Sequence, residues 1–290
     1  MSKGGARWRR FQLVVPAREA HAAAALLEVG TGALSVTETR AGITAVSAYA
    51  PELSACKASA RIRLLLGRAR RRHLFEDARL TSTVIAEEDW ASSWKRFYRP
   101  FRIAPKLYVA PTWAKRFRAP HGSRTLRIDP GMAFGTGQHP TTQLALALLL
   151  EHTQRRDTVL DIGCGTGLLA LAAAQRGAVA YAADADPVAV RVTQANFAAN
   201  HLKAAEIRRA RNVPGSFPRA HVICANITPR VLENCAVALS QHLLRNGVLI
   251  ASGFSARSRG ALKAAMRATS LRFVTERSAG PWLAHVYRKQ

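Results

Sequence analysis

Apolar and polar positions alternate through residues 8–15, where Trp8, Phe11, Leu13 and Val15 suit a strand that packs and pairs. Periodic Ala/Leu faces predict helices over 17–29 and 52–70, and further alternation predicts strands at 33–40, 43–49 and 80–87. Residues 1–87 therefore read β-α-β-β-α-β, a ferredoxin-like order, with Gly30, Gly32 and Gly42 marking turns. Residues 88–122 break this rhythm. Pro100, Pro105, Pro111 and Pro120 forbid a long helix there, yet the stretch is too aromatic for a loose linker, so a docked connector is expected. From 123 to 290 strands and helices alternate, which predicts a mostly parallel sheet with helices on both faces, an α/β domain. Apolar strands are expected at 158–161, 179–184, 221–225 and 247–252, their C-terminal ends lining one crevice. Two last runs, 271–277 and 282–288, flank Ala279-Gly280-Pro281 and predict an antiparallel hairpin.

One of these strands carries chemistry. Val159-Leu160-Asp161-Ile162-Gly163-Cys164-Gly165-Thr166-Gly167-Leu168 is a buried strand that ends in a carboxylate, turns through three glycines and opens a helix. Such a turn offers bare backbone to a ligand. Asp184 follows Asp161 near the end of the next apolar run, where a doubly wound sheet puts an acid able to bind two ribose hydroxyls; Asp186 is its neighbouring alternative. A dinucleotide fingerprint needs G-x-G-x-x-G so that a helix N-terminus meets a pyrophosphate. Here the third glycine, Gly167, comes one residue early and Leu168 takes the reserved place, which disfavours NAD; the D-x-G-x-G-x-G form instead resembles motif I of the class I methyltransferases, which implies S-adenosylmethionine. A glycine turn in an ordinary α/β domain is the bland alternative.

Composition narrows the classes. No apolar run approaches the roughly 18 residues of a membrane span, so a soluble protein is expected. Arg7, Arg9, Arg10 and Arg18 precede the first acid, Glu19, as in an organellar transit peptide, but the strand pattern of 8–15 is the preferred reading. Cys56, Cys164, Cys224 and Cys235 lie far apart and form no C-x-x-C, so neither zinc nor a disulfide framework is indicated and a cytoplasmic location fits. The net charge is +25, from 43 basic and 18 acidic residues, and it favours polyanionic partners without specifying a fold. Residues 88–122 are densely basic and also hold Trp90, Trp94, Phe97, Tyr98, Phe101, Tyr108, Trp113 and Phe117. Interleaved rings and cations can bind nucleic acid, or the rings can clamp neighbouring domains with the arginines solvated around them. The cluster Arg68, Arg70, Arg71 and Arg72 reads as a solvated helix end.

Several segments agree with one family. Ile128-Asp129-Pro130-Gly131-Met132-Ala133-Phe134-Gly135-Thr136-Gly137-Gln138-His139-Pro140-Thr141-Thr142 resembles the loop ahead of motif I in the PrmA family of ribosomal protein L11 methyltransferases. Asp89-Trp90, Trp94, Phe97, Pro111-Thr112-Trp113, Asn226-Ile227, Ser252-Gly253-Phe254 and Trp282 support the resemblance, which covers most of 85–290. It implies a class I, Rossmann-like methyltransferase domain at 123–290 behind a ferredoxin-like substrate-recognition domain at 1–87. The cofactor implied is S-adenosyl-L-methionine, held by Phe134, Gly135, Thr136, His139, Thr141, Asp161, Gly163, Gly165, Gly167, Asp184 and Asn226. Asn226 is also the implied catalytic residue, an acceptor for the substrate nitrogen. The implied substrate is ribosomal protein L11, methylated on lysine ε-amines, the N-terminal α-amine, or both. Physically, the loop reads as a glycine-hinged lid bearing polar groups; Thr141 or Thr142 can equally cap the apolar helix that follows.

Two departures stand out. Thr228-Pro229 follow Asn226-Ile227 where the family reads Leu-Ala, and no acid occurs in Ala210-Arg211-Asn212-Val213, near the expected adenine position. The N-P-P-Y signature of nucleic-acid adenine methylases is missing, which argues against base methylation. A ribosomal RNA methyltransferase, which would explain the charge, and a non-catalytic ribosome-assembly factor are the competing functions.

Overall fold

The computed structural model describes residues 7–31, 35–86, 98–129 and 133–290, which group into two compact units, 1–99 and 100–290. Gly32, the first two residues of the strand expected at 33–40, the last residue of 80–87, Asp89, Trp90, Trp94, Phe97 and Pro130-Gly131-Met132 lie outside the described residues.

The first unit runs β1 (Arg7–Pro16), α1 (Ala20–Thr31), β2 (Ser35–Arg40), β3 (Ile43–Pro51), α2 (Glu52–Arg70) and β4 (Arg79–Ala86). Its antiparallel sheet has the order β2-β3-β1-β4. Strand alternation puts Phe11, Leu13 and Val15 into the core while Val14 faces out. Ala55, Ala58, Ile62 and Leu66 form the buried stripe of α2, at the three-to-four spacing of an amphipathic helix. Gly30 lets the helices meet, because a Cβ there would lie 2.3 Å from Ile62 Cγ1. The arginine run at the end of α2 is not wholly solvated. Arg70 donates to the carbonyls of Phe75 and Ala78, at 3.3 and 2.7 Å, and holds the loop that leads into β4.

The second unit opens with a small sheet, β5 (Phe101–Ala104), β6 (Leu107–Pro111) and β7 (Arg124–Ile128), in which β5 and β6 are antiparallel and β6 and β7 parallel. Part of the stretch expected as a connector is thus sheet. Its prolines fall where strands tolerate them: Pro105 lies in the β5–β6 turn and Pro111 ends β6.

Then follow α3 (Pro140–His152), β8 (Thr158–Ile162), α4 (Leu168–Gln175), β9 (Val179–Asp184), α5 (Pro187–Ala199), β10 (Glu206–Arg209), β11 (Ala220–Asn226), α6 (Pro229–Gln241), β12 (Leu243–Ser255), α7 (Arg259–Arg267), β13 (Leu271–Ala279) and β14 (Trp282–Lys289). The seven-stranded sheet has the order β10-β9-β8-β11-β12-β14-β13, parallel from β10 to β12 and closed by the antiparallel hairpin β13–β14. Leu168 to Ala173 of α4 are all buried, so this helix is covered on every side, as its uniformly apolar sequence requires. The chain moves outward from β8 to β9 and β10, then returns to the other side of β8 with β11. At such a reversal an open α/β sheet places its ligand crevice, which here falls between the C-terminal ends of β8 and β11.

Candidate functional site

Asp161 sits near the C-terminal end of β8 with 1% exposure. The N-cap residue of α4 is Gly167, which has no side chain to cap with, so Asp161 does this from the strand below: its Oδ2 accepts the Ala170 N–H at 3.0 Å. Oδ1 is buried and has no hydrogen-bond partner among the described residues. Burial raises the carboxyl pKa from 3.8 to about 7; the Ala170 hydrogen bond opposes that shift and the nearby Asp184 charge adds to it.

The glycines do something other than bare a ligand surface. Gly165, with φ of +56°, has its Cβ direction filled by the Phe134 carbonyl oxygen, 2.1 Å from where a Cβ would stand. A Cβ on Gly163 would likewise strike the Ile227 side chain. These glycines admit neighbouring loops, and the loops in turn wall the crevice. Asp184 ties the same turn to β9: Oδ2 accepts the Gly165 N–H and Oδ1 the Asp186 N–H, each at 2.9 Å. Each carboxylate oxygen keeps a second lone pair for a ligand. Asp186, the alternative acid, is occupied as the N-cap of α5, accepting the Val188 N–H at 2.8 Å.

The loop ahead of α3 closes on this turn. Thr166 donates its N–H to the Phe134 carbonyl and its hydroxyl to the Gly135 carbonyl, at 2.9 and 2.7 Å. Thr136 lies half-buried beside them, and Phe134 is 41% exposed. Neither threonine caps α3; His139 does, its Nδ1 accepting the Thr141 N–H at 3.3 Å and lying 2.7 Å from Thr141 Oγ1. Its ring stands edge-on to Trp282, with centroids 4.7 Å apart.

The two threonines have therefore separated roles. Thr141 belongs to the cap, whereas the Thr142 hydroxyl, buried on α3, accepts a hydrogen bond at 3.2 Å from Nδ2 of Asn226 at the end of β11. With its N–H₂ so engaged, Asn226 presents a buried Oδ1 that has no partner among the described residues. Two unpartnered acceptor oxygens, on Asp161 and Asn226, thus belong to adjacent strands on either side of the switch point.

Sequence reasoning passed over the posts that hold this arrangement. Thr193 donates to the Gly165 carbonyl at 3.0 Å. Asn196 accepts from the Asp129 N–H and donates to the Thr166 carbonyl, at 2.7 and 2.9 Å. Asn200 grips both backbone groups of Arg127. Their signal was available: three uncharged polar residues at spacings of three and four make a stripe along α5 and its C-cap, which only a polar partner satisfies if it is buried.

No helix among the described residues is long and apolar enough to cross a membrane. Residues 15–290 match the family model described as "Ribosomal protein L11 methyltransferase (PrmA)". A ribosomal protein L11 methyltransferase of Streptococcus equi subsp. zooepidemicus is 36% identical over 217 residues, 72% of this chain and 67% of that one. Its counterpart in Pelobacter propionicus is 38% identical over 216 residues, 71% of this chain and 69% of that one. The crystal structure of a ribosomal protein L11 methylase from Lactobacillus delbrueckii subsp. bulgaricus aligns with a TM-score of 0.61 at 27% identity, covering 67% of this chain and all of that one. On a match that spans nearly its whole length, the chain belongs to the PrmA family of ribosomal protein L11 methyltransferases.

Proposed function

We propose that the chain is an S-adenosylmethionine-dependent protein methyltransferase that modifies amines of ribosomal protein L11. Family membership supports the reaction, and the open Oδ1 of Asn226 is the structural observation that carries the mechanism. The residues fit the cofactor. Asp161 Oδ1 is a buried acceptor without a partner, suited to an ammonium group, and Asp184 retains lone pairs for ribose hydroxyls. Gly163, Gly165 and Gly167 shape the floor, while Phe134, Gly135, Thr136 and His139 supply the lid. Thr142 joins the set in preference to Thr141, which is engaged with His139.

The bound cofactor supplies an electrophilic methyl group on a sulfonium, and transfer to nitrogen is an in-line displacement that rests on alignment. A lysine ε-amine, with a reference pKa of about 10.4, must enter neutral, and a crevice walled by Ile227 and Phe134 favours that form by desolvation. Asn226 Oδ1 then accepts an amine hydrogen and aims the lone pair. Thr142 anchors the amide through the hydrogen bond it accepts from the N–H₂.

Residues 1–87 form a ferredoxin-like module that recruits the protein substrate, 88–122 join it to the catalytic region of 123–290, and basic surface contacts ribosomal RNA. Lysine ε-amines and the N-terminal α-amine are the acceptors, and the reaction takes place in the cytoplasm. Incubation with labelled S-adenosylmethionine, purified L11 and ribosomal RNA tests the reading. Label in L11 supports it; label in RNA, or none in either, overturns it in favour of an RNA methyltransferase or an assembly factor. Asn226→Ala lowers turnover far more than cofactor affinity, and unchanged turnover removes Asn226 from the catalytic role.

A further inference from the structure

Residues 100–128 carry seven basic side chains and no aspartate or glutamate. The structure gives this segment a shape. Because β6 and β7 are parallel, the chain must cross back from Pro111 to Arg124, and it does so without a helix, through residues 112–123. Along β7, Leu126 and Ile128 point to the side that is fully buried, which leaves Thr125 and Arg127 on the other. A cavity of about 570 Å³ lies between crossover and strand, lined mainly by Thr112, Lys115, Phe117, Arg118, Ser123 and Arg127. Its volume falls within the range of small-ligand sites, and no carboxylate lines it.

The crossover is braced by its own cations. Arg127 donates to the carbonyls of Ala114 and Phe117, at 3.1 and 3.4 Å, and Arg118 to those of Lys115 and Phe117, at 2.8 and 3.2 Å. Phe117 is half-buried against Tyr108, with ring centroids 5.9 Å apart. Lys115 Nζ, and Nε and Nη2 of Arg118, have no partner among the described residues. Free cations, hydroxyls and a fixed ring around one hollow match a nucleotide with its phosphate; an acidic peptide would leave the ring without a use.

We propose that this cavity binds one nucleotide of single-stranded RNA, its base against Phe117 and its phosphates against Lys115 and Arg118. The proposal deepens the reading of RNA contact and is independent of methyl transfer: the binding assay contains no S-adenosylmethionine, so its failure leaves transfer to L11 untouched. Fluorescence anisotropy with a labelled RNA oligonucleotide and with polyglutamate of equal charge tests it on the full chain. The pair Lys115→Glu and Arg118→Glu weakens RNA binding by about tenfold or more. It also lowers the slope of log affinity against log salt by about 1.4, at about 0.7 per single-strand phosphate. A charge-matched pair, Arg257→Glu in the turn before α7 and Arg267→Glu at its end, both exposed, changes affinity by less than about threefold. Phe117→Ala costs about fivefold or more with RNA and nothing with polyglutamate. Should thermal melting show the double variant unfolded, Lys115→Gln, which breaks no contact, is expected to cost about threefold with RNA and to lower the slope by about 0.7. Equal loss in both pairs, indifference to Phe117→Ala, no effect of Lys115→Gln, or polyglutamate binding as tight as RNA overturns the proposal.

Discussion

Asp161→Asn is the most informative single change, because the same carboxyl is buried, caps a helix and keeps one oxygen without a hydrogen-bond partner among the described residues. With a pKa near 7, the group is mostly protonated at pH 5.5 and half-ionised at pH 7.0. Under the proposed assignment the cofactor's ammonium would pair with Oδ1 as a carboxylate, so binding would expel the proton. The ionised fraction rises from about 0.03 at pH 5.5 to about 0.5 at pH 7.0, and affinity for S-adenosylmethionine should rise about 15-fold over that interval. The cofactor's own amine, with a reference pKa of about 7.7–8.0, stays charged throughout. Calorimetry in buffers of different ionisation enthalpy should register release of about 0.9 proton at pH 6. Asp161→Asn binds weakly, with no pH dependence and no proton release. Stability moves the other way. A carboxyl whose folded pKa exceeds its unfolded value stabilises fully below the unfolded pKa and loses that contribution as pH rises. In the wild type the loss runs from about pH 4 to about pH 7, on the order of 4 kcal/mol, and denaturant unfolding should show it absent from the variant. Wild-type affinity that is flat from pH 5.5 to 7.0 would refute the assignment.

Three other changes test the frame. Gly165→Ala forces a Cβ against the Phe134 carbonyl at φ of +56°, and should cost about 2 kcal/mol or more by thermal unfolding, with cofactor affinity falling as the loop is displaced. Asn196→Ala strips hydrogen bonds from Asp129 and Thr166 and should cost about 2–4 kcal/mol; a loss below about 0.5 kcal/mol would mean that Asn196 does not hold the loop. His285 is buried between Phe254 and Phe273, bonded to Tyr287 and Glu276; burial lowers its pKa, Lys263 and Arg259 add to that, and Glu276 opposes it. Its contribution is therefore present above its unfolded pKa and lost as pH falls below about 6.5. Urea midpoints at pH 7.5 and 5.5 should differ less in His285→Gln than in the wild type.

Much of this architecture was legible because burial leaves a periodic mark. The stripe Ala55, Ala58, Ile62 and Leu66 and the apolar run 179–184 specify α2 and β9, whose bounds coincide with those read from the pattern. The small sheet of β5, β6 and β7 was not legible. Strands of four or five residues hold too few alternations to register, and prolines at their ends resemble a loop when the pairing partner is unknown. β10, with four residues and a half-exposed pattern, was missed for the same reason.

Within the site, legibility divided along a chemical line. Residues that must be one type could be found: a carboxylate at a strand end, a glycine at positive φ, an amide at the end of β11. Residues whose role depends on which partner they meet could not. Thr141 and Thr142 are adjacent and chemically identical, and only the fold separates them, by setting one beside His139 and the other beside Asn226. The glycines show the converse. Their presence was read correctly as a demand for close approach, but what approaches Gly165 is the chain's own Phe134 carbonyl. The turn and the lid are therefore one structure, with Thr166 donating twice into the loop that Gly165 admits. A substitution in either half must disturb the other, so variants at Gly165 and Thr166 should be non-additive, as expected for residues within one hydrogen-bonded network.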